Sequence, residues 1–140
     1  MAQYVGIHVI LDLYKVKPEK ISYVKTVKKI FDLVVKEAKL TKIAARYHQF
    51  KPYGVTGIIL LAESHISIHS WPEHELATID IYTCGDFNKA HIASNLLISL
   101  LQPEYYEKTV LYRGNITQNK LQKPAEMNFN YYERKQLNAI

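Results

Sequence analysis

Cysteine occurs once, at Cys84, and tryptophan once, at Trp71. A single thiol excludes an intramolecular disulfide and a zinc centre built from several cysteines. It suits a reducing compartment, so a cytoplasmic location is expected. Five glycines and five prolines in 140 residues exclude collagen-like and low-complexity chains. No apolar run approaches the ~20 residues that a membrane-spanning helix needs, and no secretory signal pattern opens the chain. No metal site and no membrane partner are expected, since no cluster of metal-ligating residues stands out in the sequence.

What is present is an ordinary globular composition. The chain is 48% hydrophobic and 22% charged, enough to bury one real core, and its length fits one domain. The net charge is +5. The lysines gather between Lys15 and Lys42 and in the tail, without an RNA-binding signature, so they are assigned to a solvated face and no nucleic-acid partner is expected.

Hydrophobic periodicity divides the chain. Val5 to Tyr14 alternates, with Ile7, Val9, Leu11 and Leu13 on one side and His8, Ile10, Asp12 and Tyr14 on the other. That predicts a strand. Pro18 then opens a predicted helix that runs to about Leu40, with Ile21, Val24, Val27, Ile30, Phe31, Val34 and Ala38 as its apolar stripe. Strands are predicted over 42–50, 55–62, 65–70 and 76–84, and Pro52 and Gly54 mark the first turn between them. Asp86 is a candidate N-cap for a second helix that stops before Pro103. Residues 105–112 read as a last strand. No period is visible beyond residue 114, so 115–140 are expected to form a partly ordered tail.

The predicted order is βαββββαβ, within one domain over 1–114. An antiparallel sheet with two helices on one face, an α+β two-layer sandwich, is the simplest packing. The helices would cover Ile7, Val9, Leu11, Ile66, Ile68, Ile79 and Ile81. The other face would hold His8, Asp12, His65, Ser67, His69, Asp80, Tyr82 and Cys84. A sheet face with so many polar groups is solvated, a subunit interface, or a site.

Four segments carry the chemistry: Gly6-Ile7-His8, Tyr47 to Gly57, Glu63-Ser64-His65-Ile66-Ser67-Ile68-His69-Ser70-Trp71-Pro72-Glu73, and Asp80 to Asp86 around Cys84. With these residues in this order, the chain resembles the small bacterial and archaeal type of S-adenosylmethionine decarboxylase proenzyme over about residues 5–114. The resemblance implies that family's fold and a cofactor made from the chain itself. Cleavage between Glu63 and Ser64 would leave a β chain, 1–63, and an α chain, 64–140, with Ser64 converted to a pyruvoyl group. The Ser64 hydroxyl is needed as nucleophile and then as leaving group, and the Glu63 carbonyl is its target. A pyruvoyl carbonyl forms a Schiff base with an amine substrate and takes up the electrons left by departing CO2.

The same resemblance assigns His69 to proton removal during processing and Thr56, where the family usually has serine, to oxyanion stabilisation. It assigns Cys84 to proton donation after decarboxylation, Phe50 to adenine stacking and Glu73 to the ribose hydroxyls. Asp12, Glu75 and His8 are further candidates for the substrate pocket. It also implies a homodimer of processed protomers, a small-molecule substrate and a place in spermidine biosynthesis.

Two departures bear on the substrate. Glu75-Leu76 replaces a Gly-aromatic pair, and Asp12 stands where many relatives have Glu. Added or moved carboxylates would suit a substrate with a distal cation, so a pyruvoyl-dependent arginine or ornithine decarboxylase on the same fold is the alternative. A non-catalytic partner subunit is the non-enzyme alternative. Intact Glu63, Ser64, His69 and Cys84 speak against it.

Overall fold

The computed structural model describes residues 3–117 and 129–136. Its elements are β1 (Tyr4–Tyr14), α1 (Val24–Glu37), β2 (Lys42–Gln49), β3 (Val55–Leu61), β4 (Ser64–Trp71), β5 (Leu76–Cys84), α2 (Asn88–Leu101), β6 (Tyr105–Asn115) and β7 (Phe129–Gln136). The seven strands form one antiparallel sheet in the order β2-β3-β4-β5-β1-β6-β7. Both helices pack on the same face, so the α+β sandwich expected from the alternation is the observed architecture. No helix among the described residues is long and apolar enough to cross a membrane.

The period-two pattern sets the sheet's two faces. Ile7, Val9, Leu11, Ile66, Ile68, Ile79 and Ile81 are all at most 3% exposed beneath the helices. Val27, Phe31 and Val34 of α1 and Ala90, Ala93 and Leu97 of α2 complete one continuous core. Burying each large side chain contributes about 1.5–3 kcal/mol, which is why the alternation specifies the register so strongly. Among the described residues, no helix lies on the other face. Its apolar residues include Ile58 and Leu60, each 48% exposed.

Two elements differ from the sequence reading. The stripe read as one helix from Pro18 to Leu40 is a short 3-10 turn, Pro18–Lys20, followed by α1 at Val24. Ser22 Oγ donates back to the Pro18 carbonyl, and Gln49 Oε1 accepts the Val24 N–H at 2.7 Å. A residue 25 positions downstream therefore supplies the start of α1, and local periodicity carries no trace of it. The second difference is β7, which pairs with β6 and changes the order to βαββββαββ. An edge strand pairs through its backbone and needs no alternating burial, so this segment showed no period. The rest of the expected tail, 118–128 and 137–140, lies outside the described residues.

Phe31 is 1% exposed at the centre of the helix layer. Phe31→Ala is expected to destabilise the fold by about 3–5 kcal/mol, measured by denaturant unfolding, through lost burial and the cavity left behind.

Candidate active site

The β3–β4 hairpin closes on the two-residue turn Ala62-Glu63, with Leu61 opposite Ser64. Ser64 has φ 149°, a region populated essentially by glycine. A non-glycine residue held there costs on the order of 1–3 kcal/mol. The preceding carbonyl is held as well: Glu63 O accepts the Cys84 N–H at 2.9 Å. This bond follows from the β4–β5 register, which sets Ser64 against Thr83. Cys84 ends β5 exposed, rather than filling the core as a small hydrophobe. Ser64, the Glu63 carbonyl and Cys84 thus form one cluster.

A second cluster lies at the far end of the same strands. Thr56 faces His69 in register, and Thr56 Oγ1 is 3.1 Å from His69 Nδ1. Beside them a cleft is lined by Phe50, Tyr53, Trp71 and Glu73, with Gly54 and Ser70 at its base. Phe50 is 47% exposed, so it is not a core residue. Gln49 Nε2 donates to the carbonyls of Ser22 and Gly54, tying the loop below Phe50 to the start of α1. Ser70 Oγ accepts the Val55 N–H and donates to the Ile21 carbonyl, fixing the base.

The two clusters do not meet within one chain. Ser64 and His69 are five residues apart on β4, about 16 Å at roughly 3.3 Å per residue. Glu75 does not line the cleft with Glu73. It sits in a left-handed turn, φ 52°, with a carboxylate oxygen 3.7 Å from Lys15 Nζ. Asp12 lies opposite Glu107 on β6, and burial followed by that neighbouring carboxylate raises its carboxyl above the ordinary range.

Between the clusters, three strands are joined by Asp80. Its Oδ2 is 2.9 Å from His8 Nε2 and 3.0 Å from His65 Nε2, and Ser67 Oγ donates to Oδ1. Burial alone would raise the Asp80 carboxyl; the hydrogen bonds from His8, Ser67 and His65 outweigh it and hold the group well below the usual carboxylate range. The ligand-capable atoms of His8, His65 and Asp80 lie within 4.8 Å of one another. Arg113 Nη1 lies 3.4 Å from His8 Nδ1, and its guanidinium sits 5.1 Å from the Tyr82 ring centroid. With Arg113 donating to Nδ1, His8 Nε2 carries the proton and donates to Asp80. That proton and the guanidinium charge both oppose a metal ion there, so the group acts as a hydrogen-bonded brace across β1, β4 and β5. Tyr82 leans across Gly6, where a Cβ would stand 2.6 Å from its hydroxyl oxygen. Any side chain at position 6 would push Tyr82 away from this brace.

Sequence reasoning placed Asp80 and Ser67 on the open face without a role. It passed over Tyr53, Trp71, Arg113 and Thr41. Tyr53 and Trp71 lie within the quoted motif segments, so their neighbours Phe50 and Glu73 were the available signal. Nothing in the sequence singles out Thr41 or Arg113. Because the Asp80 carboxyl is depressed in the folded chain, its contribution is present above its unfolded value of about 3.9 and is lost as pH falls through its folded value. Asp80→Asn is expected to lower stability at neutral pH by about 1–3 kcal/mol and to flatten the acid side of the stability curve, measured by urea unfolding from pH 7 downward.

The model of the family described as S-adenosylmethionine decarboxylase matches residues 7–114. The S-adenosylmethionine decarboxylase proenzyme of Aquifex aeolicus (strain VF5) is 48% identical over 126 residues, covering 90% of this chain and 93% of that protein. The proenzyme of the same description from Archaeoglobus fulgidus is 50% identical over 110 residues, covering 79% of this chain and 98% of that one. The crystal structure of the adenosylmethionine decarboxylase from Aquifex aeolicus VF5 superposes with a TM-score of 0.81 at 47% identity, covering 86% of this chain and all of that one.

Proposed function

The chain belongs to the S-adenosylmethionine decarboxylase family, and from that premise we propose that it cuts itself between Glu63 and Ser64 and then decarboxylates S-adenosylmethionine. The product is the aminopropyl donor for spermidine synthesis. The observation that carries the proposal is the strained Ser64, φ 149°, following a carbonyl already held by the Cys84 N–H.

Ser64 Oγ bonds to the Glu63 carbonyl carbon and gives up its proton. The carbonyl electron pair moves onto the oxygen, where the Cys84 N–H points. Collapse breaks the C–N bond, the nitrogen takes up a proton, and the amide becomes an ester. This step relieves the strain at Ser64. A base then removes the Ser64 Cα proton, and Glu63 leaves as a carboxylate, ending the β chain. Tautomerisation, addition of water and loss of ammonia leave a ketone at position 64. That pyruvoyl group supplies an electron sink for an amine substrate. Cys84 stays beside it as an exposed thiol, placed to protonate the substrate carbon after CO2 departs.

In this reading the base is His69, held by Thr56, and its distance from Ser64 on its own strand supports its acting from a second subunit. The functional unit is therefore a homodimer. In it the partner's His69 and Thr56 meet the Ser64 end of the first chain, and a two-fold axis builds two such sites. The open sheet face, polar yet carrying exposed Ile58 and Leu60, supplies an interface that no helix covers. The cleft beside His69 fits an adenosine: Phe50, Tyr53 and Trp71 offer aromatic faces for the purine, and Glu73 accepts hydrogen bonds from the ribose hydroxyls. The arginine or ornithine alternative drew on Glu75 and Asp12; Glu75 is directed at Lys15, and Asp12 lies opposite Glu107.

Intact mass of the purified protein is expected to show two fragments, the larger one blocked at its first residue. Ser64→Ala is expected to stay whole and release no CO2 from S-adenosylmethionine; Cys84→Ala is expected to be cut but to turn over at least tenfold more slowly. Subunit sharing has its own test. When Ser64→Ala and His69→Ala chains are co-expressed with different tags, the His69→Ala chain is expected to be cut in the mixed dimer and to stay whole alone. A His69→Ala chain that remains whole in isolated mixed dimers rules out the shared site.

A further inference from the structure

We propose that Thr41 is a positioning residue for self-cleavage, holding the Glu63 side chain so that the scissile turn keeps its strained conformation. The inference rests on the self-cleavage reading and adds a residue that no motif includes. Thr41 stands just before β2, outside the sheet ladder, yet it meets the turn three times. Its carbonyl accepts the Ala62 N–H at 2.8 Å. Its N–H donates to Glu63 Oε1 at 3.0 Å, and its Oγ1 donates to Glu63 Oε2 at 3.2 Å. Both carboxylate oxygens are therefore engaged by one residue.

A surface glutamate ordinarily keeps its rotamer freedom and its hydration. Here charge-assisted bonds hold it in one geometry. Burial would raise the Glu63 carboxyl; the Thr41 hydrogen bonds, with help from the charge of Lys89, lower it, so the clamped form is the ionised one. Lys89 is itself anchored, its Nζ donating to the Lys39 carbonyl at 3.0 Å.

The location gives the clamp its consequence. Glu63 supplies the carbonyl carbon that Ser64 attacks. Its side chain is held by Thr41, just before β2, and its carbonyl by Cys84 on β5, so neither end of the residue can rotate to relax the turn. The next freely adjustable torsion is φ of Ser64, which is where the distortion lies. Releasing the carboxylate would let the turn relax and lose part of the ground-state strain that the first step discharges.

The test follows cleavage of the full-length chain made by cell-free translation, sampled over time on denaturing gels. Thr41→Val keeps the shape and the N–H but loses the hydroxyl, and is expected to slow cleavage about tenfold. Thr41→Ser is expected to stay within about twofold of wild type, since it keeps the donor. Glu63→Gln is expected to be slow, and the Thr41→Val/Glu63→Gln double variant no slower than the slower single, because both remove one interaction. In the uncut Ser64→Ala background, Thr41→Val is expected to leave the urea midpoint unchanged, which separates positioning from folding. If wild type is cut between Glu63 and Ser64 and Thr41→Val is cut as fast, or if the two single effects multiply in the double variant, the clamp is overturned alone. A wild-type chain that stays whole overturns the clamp and the self-cleavage reading together.

Discussion

The hydrogen bond from the Cys84 N–H to the Glu63 carbonyl is the contact on which the proposed chemistry depends. It exists because β5 lies beside β4 in a register that sets Ser64 against Thr83. A slip by one residue would send Ile66, Ile68, Ile79 and Ile81 to the open face, so the energy of the core enforces the position of one amide. The reacting bond is thus held by packing that takes no part in the reaction. In the proposed reaction the thiol of Cys84 and its backbone N–H would serve different steps, which would tie cleavage and turnover to one place.

The remaining polar groups divide the open face between two ends and a middle. One end holds Ser64, the Glu63 carbonyl and Cys84; the other holds Thr56, His69 and an aromatic cleft. The brace around Asp80 joins β1, β4 and β5 between them. A distance of about 16 Å along a rigid strand cannot be closed by side-chain motion. Under the proposed two-fold symmetry that separation becomes useful, since each subunit would carry half of two sites.

Much of this was legible in the residues. Alternation in β1, β4 and β5 marked the buried face, and the ESH, IHSWPE and TCGD segments carried the family resemblance. What escaped was every feature without a local pattern. Gln49 starts α1 from a distant strand, β7 joins the edge without an alternating face, and Thr41 reaches Glu63 across 22 positions. Glu75 looked like a pocket carboxylate because it follows Glu73 closely, but a left-handed turn redirects it.

The sequence by itself determined the fold class and the family, and it supplied the serine and the accompanying groups on which the proposed chemistry rests. Periodicity and side-chain chemistry are carried residue by residue, so they can be read without coordinates. Only the tertiary structure decided which of those groups share a site, because distance along a strand and register between strands arise from non-local pairing. It likewise decided that Ser64 is strained and that Asp80 is braced, since both depend on partners brought from elsewhere in the chain.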